Sequence, residues 1–202
     1  MKIRLTLLAA TATAALFAAP MLGTAAQQDA AQNKGPVATA EPGACSADQR
    51  AAITQAYADA RALALRSAAF LEERGADPHV ARFFGNSPRK VLAEHYRIIA
   101  AGMDQLPDLE LRCNDARVCG SGGTFAYVIH AMPQRPRATA GFCQSFFSAH
   151  ATEGQDNRAG IVIHEISHLV LDTRDAEYQP RAAQDLAKDE PNVAAMHADT
   201  SE

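Results

Sequence analysis

Residues 44–202 are predicted to form one α+β domain, mainly helical with a small β-sheet, and three observations carry this reading. Apolar residues recur at helical spacing over 47–71 and again over 88–103. Short segments with β-branched or aromatic residues, separated by Gly or Pro clusters, fill 109–146. Helical periodicity then returns over 158–171 and 180–188. Helices, a small sheet, then helices is the order of an α+β domain rather than of alternating βαβ units.

The chain opens with Lys2 and Arg4, an apolar run over 5–22, and the small residues Thr24-Ala25-Ala26. This is the pattern of a secretory signal peptide over 1–26, and Pro20 within an Ala-rich run favours cleavage over anchoring. Residues 27–43 are Ala, Gln, Pro and Gly with little to pack, which reads as a flexible leader. No later stretch is apolar for long enough to span a bilayer, so no membrane association is expected after signal cleavage. The expected location is extracellular or periplasmic. The net charge of −4 leaves no basic stripe to neutralise phosphates, which argues against a nucleic-acid partner. No internal repeat or heptad run is apparent, and a monomer is expected.

The first helix, 47–71, carries Ile53, Tyr57, Ala60, Ala64 and Leu71 on one face, with Ser46 as its N-cap. In the second, 88–103, Ser87 is the expected cap, Pro88 takes the tolerated first position, and Leu92, Tyr96, Ile99 and Met103 form the stripe. Strands are expected over 109–113, 124–130 and 139–146, with turns at 120–123 and 133–136. The helix over 158–171 is apolar almost all round, so it is expected in the core.

Cys45, Cys113, Cys119 and Cys143 all follow the signal peptide, and an even count in an exported chain favours two disulfides. No pair shows the spacing of a Cys-ligated metal site, and three pairings remain open on spacing.

Within the apolar helix stands His164-Glu165-Ile166-Ser167-His168. Histidines four apart project from one helical face about a turn apart, so both can bind one zinc ion, Zn2+. Glu165 can then act as base toward a water whose pKa the metal lowers to ~7. His and Glu on so apolar a helix would be costly without a role. The motif arises by chance in roughly one chain per hundred of this length, so a third ligand decides its meaning. His79, His95, His130 and His150 lack partners at ligand spacing, and Asp104, Asp108 and Glu110 read as loop charges.

Downstream lies Thr173-Arg174-Asp175-Ala176-Glu177-Tyr178. With the His-Glu motif, this register resembles the aspzincin metallopeptidases, the deuterolysin and peptidyl-Lys endopeptidase family, whose mark is HExxH followed by Gly-Thr-x-Asp-x-x-Tyr-Gly. Cys45 before a long helix, Phe84-Gly85, Cys143 with Phe146-Phe147, and the tail Leu186-Ala187-Lys188, Pro191 and Ala198-Asp199 are similar to further landmarks of that family. The resemblance implies a zincin-like fold with the motif on a buried active-site helix, and one zinc ion per chain. His164, His168 and Asp175 would be its ligands, Glu165 the base, and Tyr178 a hydrogen-bond donor to the developing oxyanion. It implies the disulfides Cys45–Cys113 and Cys119–Cys143. It also implies protein or peptide substrates, with Asp199 and Glu202 lining the subsite that takes a lysine after the scissile bond. Asp172 stands where the family has Gly, Gln179 replaces the Gly after Tyr178, and His197 replaces an Asn. A broad-specificity, deuterolysin-like peptidase and a non-catalytic secreted zinc-binding protein of the same fold are the alternatives.

Overall fold

A computed structural model describes residues 42–73, 77–120, 122–175 and 180–199. The expected signal peptide and nearly all of the leader lie outside the described residues, as do Tyr178 and Glu202.

Helix α1 (Ala47–Glu73) begins in a capping box, in which Ser46 Oγ accepts from the Gln49 amide and Gln49 Oε1 accepts from the Ser46 amide. Its buried face runs Ile53, Tyr57, Ala60, Ala64, Ala68 and Leu71. Helix α2 (Pro78–Phe84) was not expected, although Asp77-Pro78 is a helix-start signal. Asp77 accepts from the amides of His79 and Val80, and the helix ends at Gly85 with φ 58°. A Cβ there would collide with the Ala187 carbonyl oxygen, so only glycine fits.

Helix α3 (Arg89–Gly102) has Pro88 as its N-cap with no side-chain cap bond. The expectation that Ser87 caps it is therefore corrected. The Ser87 hydroxyl instead donates to the Pro191 carbonyl at 2.8 Å, because the distant C-terminal segment packs over that end. A 3₁₀ turn, Met103–Asp108, then leads into the sheet.

The sheet has three strands, β1 (Glu110–Cys113), β2 (Ala126–Ile129) and β3 (Thr139–Phe142), in the order β1-β3-β2. Strand β3 is central and buried along its length, parallel to β1 and antiparallel to β2. A strand over 139–146 would have placed Gln144 on the same face as Phe142 and Phe146. The chain turns instead at Cys143 into α5 (Gln144–Ser148), which buries Phe146 against Phe142 with ring centroids 4.6 Å apart and leaves Gln144 exposed. Between β1 and β2 lies α4 (Ala116–Cys119), capped by Asp115. The disulfides join Cys45 to Cys113 and Cys119 to Cys143, the same pairs the family resemblance implies.

Helix α6 (Arg158–Leu171) is the centre of the core, with every residue from Ala159 to Ser167 buried. Asn157 caps it by accepting from the Gly160 amide at 2.9 Å. Gly102 lets α3 approach it closely, since a Cβ there would lie 2.7 Å from Val170 and 2.8 Å from Ile166. At its end Asp172 adopts a left-handed conformation with φ 56°, the position where the related motif carries glycine and where Asp is among the few tolerant residues. Helices α7 (Pro180–Asp189) and α8 (Pro191–Ala194) then return across α2. Among the described residues no helix is long and apolar enough to cross a membrane.

Candidate functional site

Helical periodicity alone brings His164 and His168 together, with ring centroids 4.9 Å apart and their Nε2 atoms 3.2 Å apart. The loop after α6 carries Asp175 back over them. Its Oδ1 lies 3.0 Å from His164 Nε2 and 3.1 Å from His168 Nε2. These three residues are the one group of described His, Cys, Asp and Glu side chains whose donor atoms converge as metal ligands do.

The remaining ring nitrogens face acceptors. His164 Nδ1 lies 2.9 Å from Asp199 Oδ1, and His168 Nδ1 lies 2.7 Å from the Thr173 carbonyl oxygen. The hydrogen-bond acceptor at His168 Nδ1 and the carboxylate charge beside His164 Nδ1 both favour the tautomer whose proton sits there, which leaves both Nε2 lone pairs pointing at one another and at a carboxylate. Three electron-rich atoms about 3 Å apart repel unless a cation lies among them. Bond lengths of ~2.0–2.1 Å around a tetrahedral zinc put its ligands about 3.3 Å from one another, close to the separations here. The donor set, two neutral nitrogens and one carboxylate, fits that ion.

Two backbone bonds tie the Asp175 loop to the tail. The Arg174 amide donates to the Met196 carbonyl and the Ala198 amide to the Arg174 carbonyl, each at 3.2 Å. The resulting bridge between Arg174 and the buried His197 holds Asp175 and Asp199 against the two ring nitrogens of His164. Asp199 was expected only as a substrate-binding residue; its place against His164 was not. Nor were the Thr173 carbonyl and the Ser167 hydroxyl, since a carbonyl has no sequence signature and Ser167 occupies a free position of the motif.

Glu165 is buried in the same helix and its carboxylate does not converge with those three residues. Its carboxylate lines a groove of about 780 Å³ with Ile161, His164, Asp175, Thr124 and Phe125. Burial pushes the Tyr57 phenol well above its usual range, and the Glu165 charge adds to that shift, so the carboxylate's field reaches the core side of α6. Phe83 and Asp199 line this groove and also a second cavity of about 500 Å³, whose other walls include Phe70, Leu71, Phe84 and Tyr96. His79 packs against the Phe83 ring, with centroids 5.3 Å apart. Asp104 pairs with Arg61 and Glu110 with Arg112, away from the site. Where Tyr178 and Glu202 stand relative to it lies outside the described residues.

Comparison with known proteins follows the same outline. A family model described as lysine-specific metallo-endopeptidase, the aspzincins, matches residues 69–202. The peptidyl-Lys metalloendopeptidase of Grifola frondosa is 30% identical over 164 residues, which span 78% of this chain and 44% of that protein. An extracellular protease of Aeromonas hydrophila is 37% identical over 79 residues, 38% of this chain and 22% of its own length. The chain thus spans less than half the length of these curated relatives. A solved structure of a zinc peptidase from Grifola frondosa superposes with a TM-score of 0.64 at 28% identity, covering 78% of this chain and 93% of that one. On the family match and the shared fold together, the chain belongs to the aspzincin family of metallo-endopeptidases.

Proposed function

We propose that this chain is a secreted zinc-dependent endopeptidase in which His164, His168 and Asp175 hold one zinc ion. Glu165 is its general base and Tyr178 its oxyanion donor. The single observation that carries the reading is the convergence of two histidine nitrogens and one carboxylate within about 3 Å, with a further, non-converging carboxylate in the adjoining groove. Zinc bound there supplies Lewis acidity, lowering the pKa of a water and polarising the scissile carbonyl. Glu165 takes the proton of the attacking water and returns it to the leaving amine, and burial keeps bulk water from competing for that carboxylate. Asp199 and the Thr173 carbonyl orient the two imidazoles. Strand β2 pairs only with β3 among the described residues, and the segment leading into it lines the groove. An extended substrate backbone would lie along that edge.

The preferred residue after the scissile bond is lysine, bound by Asp199 and Glu202. Asp199 Oδ2 is buried and has no hydrogen-bond partner among the described residues. A carboxylate oxygen in that condition, between apolar walls, favours a long alkyl stem ending in an ammonium. The domain reading is a signal peptide over 1–26, a leader over 27–43 and a catalytic domain over 44–202. Export is supported by two disulfides and by the relative called an extracellular protease. Digestion of a denatured mixed protein substrate, with cuts mapped by mass spectrometry with and without chelator, tests all of this. Cleavage that survives metal removal would end the zinc reading. Cuts before lysine no more frequent than before leucine or serine would leave a broad-specificity peptidase.

A further inference from the structure

Ser167 is fully buried, and its hydroxyl makes two short contacts. One runs to the His164 carbonyl oxygen at 2.7 Å, the other to Thr173 Oγ1 at 2.6 Å. Thr173 is also buried, and its Oγ1 lies 3.2 Å from His168 Nδ1, whose nearer acceptor is the Thr173 carbonyl at 2.7 Å. The direction of every bond follows by elimination. A carbonyl oxygen only accepts, so Ser167 donates to His164 O. Ser167 has one proton, so at the 2.6 Å contact it accepts and Thr173 donates. The Thr173 carbonyl only accepts, so His168 Nδ1 carries a proton. Thr173 Oγ1, its own proton committed to Ser167, offers that N–H a second acceptor. The chain therefore leaves His168 in one tautomer, with the Nε2 lone pair turned toward His164 and Asp175.

We propose that Ser167 is a positioning residue for His168: by holding the Thr173 hydroxyl it keeps in place the residue whose two acceptors orient the ring of a metal ligand. This rests on His168 being a ligand, as read above. The plainer account is that a serine hydroxyl bonding the carbonyl three residues back is common inside helices and satisfies nothing beyond itself. Against it, the second contact crosses from the helix to the loop that delivers Asp175. Both hydroxyls are buried, so losing either leaves the other without a water to replace it.

The test compares Ser167→Ala, Thr173→Val, Thr173→Ser and the Ser167→Ala/Thr173→Val double variant, all in the full chain. Ser148→Ala is the control, because that exposed hydroxyl bonds only its own helix. The readouts are the rate of zinc release to a chromophoric chelator, the absorption spectrum with cobalt in place of zinc, and the melting of metal-stripped protein. Release should be roughly 10–100-fold faster in Ser167→Ala and Thr173→Val, the scale of losing an outer partner of a metal-binding histidine. The cobalt spectrum should change in the same two. Thr173→Ser and Ser148→Ala should match the wild type, and the double variant should be no worse than the worse single. Additive losses, lower melting with unchanged release, or a Thr173→Ser as impaired as Thr173→Val would each overturn the proposal. If Ser167→Ala does not fold, the Thr173 pair decides alone. A wild type that takes up no zinc would remove the ligand reading and this one with it; tight zinc in the wild type and in every variant would remove this one only.

Discussion

The site has two halves that are built in different ways. The helical half, His164, Glu165 and His168, lies within five consecutive residues of a helix whose burial leaves it no freedom. The returning half, Thr173, Asp175 and Asp199, is brought in by a left-handed turn at Asp172 and two backbone bonds between residue 174 and the tail. One half is held by a hydrogen-bonded helix and a packed core, the other by a few bonds at its own edge. Local periodicity can therefore place a histidine pair, but bringing a carboxylate onto it takes distant chain.

The largest effect should come from the helical half. Glu165→Gln removes the proposed base while keeping the shape, so turnover should fall roughly 10²–10⁴-fold with bound zinc unchanged. Steady-state kinetics beside metal analysis checks this, and retained activity would mean that the helix supplies ligands but no base.

Asp199→Asn probes the returning half. It keeps the size of the side chain but weakens the acceptor facing His164 Nδ1. Zinc affinity should drop roughly 10–100-fold by competition with a chelator. If the proposed preference for lysine is lost as well, Asp199 serves both His164 and the substrate; if affinity holds while that preference goes, the tail serves the substrate alone.

Gly102→Ala presses on the helical half from behind. Alanine in a helix gains up to ~1 kcal/mol over glycine, but overpacking a full core costs ~1–3 kcal/mol. With Ile166 and Val170 less than 3 Å from the new methyl, the cost should win and the melting temperature should fall. A more stable variant would show that α6 can yield after all.

The smallest effect is in alkaline titration. Burial raises the Tyr57 and Tyr96 phenols above their ordinary value of 10.0, and at Tyr57 the Glu165 charge adds to it. Both rings are neutral in the fold while the unfolded chain ionises, so this contribution to stability is intact below pH ~10 and is lost as pH rises above it. Phenolate absorbance should show these two rings ionising only as the protein unfolds, and Glu165→Gln should lessen the delay at Tyr57 but not at Tyr96.

Much of this molecule was legible before any coordinates. The apolar run over 158–171, with two histidines at i and i+4, determined a buried helix carrying two imidazoles on one face, because both facts depend only on helical period and on what water excludes. Ser46 marked the start of α1 as its N-cap, a signal that closes within three residues, and the structure adds Gln49 as the other half of a capping box. The tertiary structure decided the rest. Ser87 left its cap position for the Pro191 carbonyl, and the strand expected over 139–146 gave way to a helical turn that buries Phe146 and frees Gln144. It also decided that Asp175 meets both histidines and that Asp199 backs His164. The physical reason is range. Caps and periodicities are satisfied among neighbours along the chain, whereas these contacts join residues whose approach depends on how α2, α7 and the tail pack, which no local spacing records.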